Sequence, residues 1–222
     1  MVLVDFYALK ANLYFRGKEN CEIVIINENT PIIETERLML RKFTENDADA
    51  LFEILSDAEV NTFLPWFLLK GINETKLFLK ERFLDHYNKP SVYRYAICRK
   101  EDNKPIGYVW LSDNESCDFG YGLKKAFWHK GIVTEAAQAV VERIKNAGYA
   151  YITATHDVNN PRSGEIMKKL GMVYKYSYVE QWQPKNITVT FRMYQLNFDR
   201  NSERTYMEYW DKNENHFVEE NV

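Results

Sequence analysis

A chain of 222 residues, 45% of them hydrophobic, is long enough for one domain with extensions and too apolar to be disordered. Its formal net charge of −3 and pI near 5.9 leave no basic footprint for nucleic acid, and no apolar run approaches the ~18 residues a membrane helix needs. Cys21, Cys98 and Cys117 are widely spaced, odd in number and fit neither a metal nor a disulfide pattern, and the first residues lack the basic region of a signal peptide, so a reduced cytoplasmic setting is expected.

Residues 1–30 read as an N-terminal extension with a strand at CEIVII (Cys21–Ile26). ERLMLRKF (Glu36–Phe43) alternates, with Leu38 and Leu40 on one face and Arg37, Met39 and Arg41 on the other. Thr44 and Asp47 make a capping box for a helix carrying Leu51, Ile54 and Leu55. Asn73–Asn88 reads as a second helix, with Leu77, Phe78, Phe83 and Leu84 as its apolar residues. Strands follow at Ser91–Arg99 and Pro105–Ser112, with a hairpin between them. Ser116–Phe127 is a strand leading into a turn; its Gly120 and Gly122 share one face and mark either a close backbone approach or packing in a crowded sheet.

The turn feeds a strongly amphipathic helix ending at Gly148, with Val133, Ala137, Val140, Val141, Ile144 and Ala147 as its stripe. After the strand YITAT, Asn160 can cap a short helix with Pro161 at its first position. Two alternating strands, VYKYSYVEQW and ITVTFRMYQLNF, close the series. The order of elements predicts a mixed α/β layer architecture. In the tail from Asp199 to Val222, seven acidic residues are interrupted by Tyr206, Met207, Tyr209, Trp210 and Phe217. Those rings predict a short helix near 202–211 docked on the body or, in a homodimer, on a partner subunit, followed by a disordered end of about five residues.

The start of the long helix is the most informative point. Unpaired amides and the positive end of the helix dipole suit an anion such as phosphate. Gly131 permits close approach, His129 and Lys130 add positive charge, and Thr134 adds a hydroxyl. The plain alternative is an ordinary buried helix after a loop. Similarly, Asn160 and Ser163 either present an amide and a hydroxyl to a ligand or serve a strand-turn-helix only.

Taken together, IIETERLMLRKFTENDADALFEILSD (Ile32–Asp57), NTFLPWF (Asn61–Phe67), DFGYGLKKAFWHKGIVTEAAQAVVE (Asp118–Glu142) and DVNNPRSGEIMKKLGMVY (Asp157–Tyr174) resemble, in order, the GNAT family of acyl-CoA N-acyltransferases, in particular its ribosomal-protein N-acetyltransferase branch. The resemblance spans about residues 31–198. It implies a mostly antiparallel sheet of about seven strands, flanked by about four helices, whose central strands splay to admit acetyl-CoA. It places the pyrophosphate on the amides of Lys130, Gly131, Ile132, Val133 and Thr134 with His129 beside them. It lays the pantetheine arm along Tyr121, Gly122 and Leu123, and sets Asn160 and Ser163 at its end. Three residues depart from the family pattern: Val133 replaces a small residue, Trp128 stands at the Gln/Arg position, as is common in this branch, and Met167 stands where many members carry a catalytic tyrosine.

The implied reaction moves acetyl from acetyl-CoA to a primary amine without a metal. A protein N-terminus is the leading acceptor, a small amine is the second, and a CoA-binding module without chemistry is the alternative from another class. Asp118 reads either as general base or amine anchor, or as a surface carboxylate. Ser163 reads as an acid for the departing thiolate or as a turn serine, and Tyr174 is a third candidate acid. Trp66 is expected to wall the acceptor pocket, with Phe63 and Phe67 packing. His156 is a weaker alternative base.

Overall fold

Leu38 and Leu40 are fully buried, as the alternation requires, and the strand they anchor belongs to a five-stranded antiparallel sheet. The computed structural model describes residues 28–89, 92–199, 201–220 and 222, so the strand expected at Cys21–Ile26 lies outside the described residues. The first sheet runs in chain order: β1 (Ile33–Glu34), β2 (Leu38–Arg41), β3 (Arg94–Arg99), β4 (Pro105–Leu111) and β5 (Phe119–Leu123). Between β2 and β3 lie α1 (Ala48–Leu55) and α2 (Ile72–Arg82). The capping box forms, with Thr44 N–H donating to Asp47 at 2.7 Å.

Helix α2 departs from expectation. It stops at Arg82, and Leu77 is 57% exposed while Thr75 and Leu79 are buried. These two are four residues apart, so they share the helix face turned to the core, and Leu77 falls outside that line.

After β5 come α3 (Ile132–Asn146), β6 (Tyr151–Asp157), α4 (Pro161–Lys169), β7 (Val173–Trp182) and β8 (Ile187–Asn197). The last three strands, with a short strand near the C-terminus, form a second sheet in the order β6–β8–β7–β9. Among the described residues, seven longer strands and four longer helices agree with the expected counts of about seven and about four. The two-residue strands β1 and β9 (His216–Phe217) and the five-residue α5 (Glu208–Lys212) are additional.

The sheets meet at one point. Asp118 and Thr153 form an isolated parallel bridge, with Thr153 N–H donating to Cys117 O at 3.1 Å. Beyond it β5 and β6 belong to different sheets. On β5 the lost side chains at Gly120 and Gly122 are filled by β4: a Cβ at Gly120 would lie 1.9 Å from Trp110 Nε1, and one at Gly122 would lie 2.5 Å from the Tyr108 ring. The glycines therefore admit aromatic rings between neighbouring strands, which is the packing reading.

The tail docks on the second sheet. Helix α5 is shorter and later than expected. Trp210 meets Tyr176 edge-on at 5.4 Å, Tyr209 stacks on Tyr178 at 5.4 Å, and β9 pairs with β7. The predicted disordered end is corrected at Glu219, whose carboxylate accepts from Arg192 Nε at 2.9 Å and whose N–H donates to Tyr174 Oη at 2.9 Å. Charge pairing and a backbone bond hold a segment in which composition alone reads as solvated.

Replacing Gly120 by Ala drives a methyl group into the Trp110 indole and should cost about 1–3 kcal/mol. Urea unfolding monitored by circular dichroism measures this, and an unchanged midpoint would refute the glycine–ring interlock.

Candidate active site

Trp128 Nε1 donates to Leu123 O at 2.8 Å and so fixes the turn between β5 and α3. Within that turn His129 and Gly131 both adopt left-handed backbone, at φ 60° and 72°. Helix α3 has no side chain capping its first turn. Glu135 N–H is bonded to Gly131 O, and the amides of Ile132, Val133 and Thr134 precede any intrahelical acceptor.

Lys130 supports the turn from within: its Nζ donates to Ala126 O at 2.9 Å, and its own carbonyl accepts from Arg37 Nη1 at 3.0 Å. Arg37 also grips Glu135 through Nε at 2.6 Å, tying the turn before β2 to the first turn of α3. Val133 is buried in the core, so its size does not intrude on the turn.

The β5 edge facing β6 follows from its pairing with β4. Ser112 N–H donates to Asp118 O, and Lys124 N–H donates to Ile106 O. The alternation of an antiparallel ladder then turns the N–H and C=O groups of Phe119, Tyr121 and Leu123 away from β4. Gly122 itself bonds toward β4 and gives its space to Tyr108. The splay is bridged at one place by a side chain: Tyr121 Oη lies 2.9 Å from both Ser163 O and Ser163 Oγ at the start of α4. Asn160, the cap position of α4, makes no capping bond with its side chain. Gly164 seats α4 on β6, since a Cβ there would lie 2.7 Å from His156 Nε2.

A cleft of about 340 Å³ opens at this splay. It is lined by Asp118, Tyr121, Asn160, Ser163 and Met167 together with Trp66, Trp110, Tyr178, Glu180 and Tyr209. Asp118 lies at its base, just where the two sheets part. Its N–H donates to Ser112 Oγ at 2.6 Å, yet its own Oδ1 is buried without a hydrogen-bond partner. Burial pushes this carboxyl up to about 7. Burial also raises Glu180 and Tyr121, and lowers His156.

The cleft brings together Asp118, Ser163, Asn160, Tyr121 and Trp66, and it includes Phe63. Tyr174 is not among them. Its hydroxyl lies 3.0 Å from Ser177 Oγ and accepts from Glu219 N–H, so it serves to hold the tail. Phe67 is 61% exposed rather than packed. Residues 129–134 form the turn described above and do not line this cleft. Sequence reasoning missed Trp110, Tyr178, Glu180 and Tyr209. A signal was present on β7, where Tyr176, Tyr178, Glu180 and Trp182 fall at every second position and put one carboxyl on an aromatic face. Among the described residues no group of three or more His, Cys, Asp or Glu could hold a metal, and no helix is long and apolar enough to cross a membrane.

Comparison with known proteins identifies the family and the fold. Residues 37–173 match the model of the acetyltransferase (GNAT) domain. The uncharacterized N-acetyltransferase YoaA of Bacillus subtilis (strain 168) is 27% identical over 163 residues, covering 71% of this chain and 91% of that protein. A GNAT-family acetyltransferase from Bacillus anthracis superposes with a TM-score of 0.67 at 21% identity, over 77% of this chain and 100% of that one. The ribosomal L7/L12 α-N-protein acetyltransferase RimL, solved with coenzyme A, superposes with a TM-score of 0.66 at 19% identity over the same shares. With the matched domain covering more than half of its length, this chain belongs to the GNAT family of acetyltransferases.

Proposed function

We propose that this N-acetyltransferase binds acetyl-CoA in the splay between β5 and β6 and acetylates a primary amine held beside Asp118. The observation that carries the reading is Asp118 itself, a carboxyl with a buried, unpartnered oxygen at the point where the sheets part. A base poised near neutral pH is what deprotonation of an ammonium requires.

The chain has the donors the co-substrate needs. The first amides of α3 and the turn from Lys130 offer a pyrophosphate seat, with His129 and Thr134 at its margin. The free edge of β5 at Tyr121 and Leu123 offers partners for an amide-bearing arm, and the Asn160 side chain can receive its end. Bound acetyl-CoA supplies an activated acyl carbon and a thiol leaving group. Asp118 takes one proton from the acceptor ammonium. The freed nitrogen bonds to the acyl carbon as the carbon–sulfur bond breaks, and that electron pair leaves on sulfur. Tyr121, protonated and coupled to Ser163, donates a proton to the sulfur and regains one from the nitrogen. The products are an amide, a free thiol and one proton released when Asp118 ionises again. Tyr121 thus takes the donor role the sequence reading gave to Ser163 or Tyr174, and Ser163 orients it. RimL acts on the ribosomal protein L7/L12, which supports a protein N-terminus as one acceptor class.

Gly131→Asp should weaken acetyl-CoA binding by about 10-fold or more in calorimetry, because it sets a negative charge at the helix start. Lys130→Ala should cost less, since its ammonium is already committed to Ala126 O. Equal affinity of Gly131→Asp and parent would refute the pyrophosphate seat.

Asp118→Asn should lower kcat by ~100-fold or more and remove the limb of the pH profile that rises through about 7. The same change should stabilise the fold at pH 8. A carboxyl raised from 3.8 to about 7 by folding opposes the folded state above its folded value and is neutral in both states below 3.8. The upper bound is about 4 kcal/mol. The melting temperature of Asp118→Asn should therefore exceed the parent's at pH 8 and converge with it near pH 3.5. A variant with parental turnover, or one less stable than the parent at pH 8, would remove Asp118 from the role.

A further inference from the structure

The cleft lining is rich in rings and carboxylates. Trp66 meets Trp110 edge-on at 6.1 Å, and its indole N–H is fixed on Asn61 Oδ1 at 3.1 Å. From the second sheet, Tyr178 stacks on Tyr209 at 5.4 Å and 16°. The carboxylates of the lining are Asp118, Asp157 and Glu180. Asp157 is engaged with its own turn, accepting from Asn159 N–H at 2.8 Å. Among the described residues no lysine or arginine lines the cleft. Lys185, in the β7–β8 turn, spends its ammonium on Asn61 O at 3.1 Å.

We propose that the acceptor is a small cationic amine with an apolar body and no carboxylate or phosphate, its ammonium drawn to Asp118 and Glu180 and its body packed between the Trp66–Trp110 and Tyr178–Tyr209 rings. This rests on the acetyl-transfer reading and narrows its acceptor. A carboxylate or phosphate on the acceptor would enter a lining that already holds carboxylates and, among the described residues, no lysine or arginine to pair with it, which is costly away from water. An ammonium is favoured both by the carboxylates and by the ring faces. The cleft volume is that of a small-ligand site. Peptide amides of a protein N-terminus would find few partners among indole and phenol faces. Tyr209 comes from the tail, beyond the residues that match the family domain, so one wall of the acceptor site is contributed by this chain's own extension.

The test is a matched pair assayed by thiol release at saturating acetyl-CoA with the full chain: 2-phenylethylamine, and phenylalanine, which adds only a carboxylate. A six-residue peptide with a free N-terminal serine is the third acceptor. The expected result is a kcat/KM for 2-phenylethylamine at least 100-fold above phenylalanine and above the peptide. Quenching of tryptophan fluorescence by 2-phenylethylamine in the presence of coenzyme A, where no turnover occurs, should report the same preference. Tyr209→Leu should raise the KM for 2-phenylethylamine about 10-fold while leaving the KM for acetyl-CoA unchanged, and Glu180→Lys should narrow the gap between the matched pair. Phenylalanine or the peptide as the better acceptor overturns the proposal, as does a silent fluorescence titration. Calorimetry with acetyl-CoA separates the two levels. Failure to bind it sinks the acetyl-transfer reading, whereas binding with no turnover or quenching by 2-phenylethylamine sinks the acceptor class alone.

Discussion

β5 and β6 stop pairing after one bridge, and the rest of the molecule is arranged around that break. A strand buried in a domain ordinarily satisfies both edges, and an unpaired edge costs free energy for every group shielded from water. Here the free edge comes from Phe119, Tyr121 and Leu123, and it is met only in part from within the chain, by Trp128 at Leu123 O. The opposing wall is the start of α4, whose cap position leaves an amide side chain uncommitted. Unspent donors and acceptors on two facing walls make a slot that a long, amide-bearing molecule can complete. Tyr121 and Ser163 hold the two walls at a fixed separation.

Keeping the slot open requires that β5 not drift toward β6. The interlock of Gly120 and Gly122 with Trp110 and Tyr108 supplies that restraint, because the rings occupy space that any side chain on β5 would need. Arg37 acts similarly at the other end, bridging Glu135 and the Lys130 carbonyl so that the turn and α3 move together. Packing and charge pairing thus both serve to hold an unsatisfied edge in position.

The elements legible in the sequence were those whose signal is local. Alternation located β2, β7 and β8; the stripe of α3, Thr44 with Asp47, and Asn160 with Pro161 located helix starts. The resemblance to a family supplied the slot and its order of residues. Asp118 and Ser163 could be named because they sit beside those motifs. What remained hidden depends on long-range contact. Tyr174 shares a strand with Tyr178, but only the course of the tail shows that its hydroxyl is used by Glu219. Leu77 lies within an apolar stretch, but the packing of α2 through Thr75 and Leu79 leaves it outside. Tyr209 lies 91 positions from Asp118 in sequence, 209 less 118, and no periodicity connects them.

The tail therefore bears on chemistry as well as stability. Asp118 sits high on the carboxylate scale because it is shielded from water, and among the groups lining the same cleft are Tyr178 and the Tyr209 ring stacked on it. A carboxyl at that value opposes folding at the pH where it would work, so some other contact must offset the cost. The Arg192–Glu219 pair and the Trp210–Tyr176 contact, made by residues that do not line the cleft, and the β9 ladder are bonds of the second sheet. They fasten the segment that shields Asp118. In this chain the extension beyond the family domain and the Asp118 carboxyl within it share one cleft lining: loosening the tail would let water reach Asp118 and move it toward the value of an ordinary aspartate.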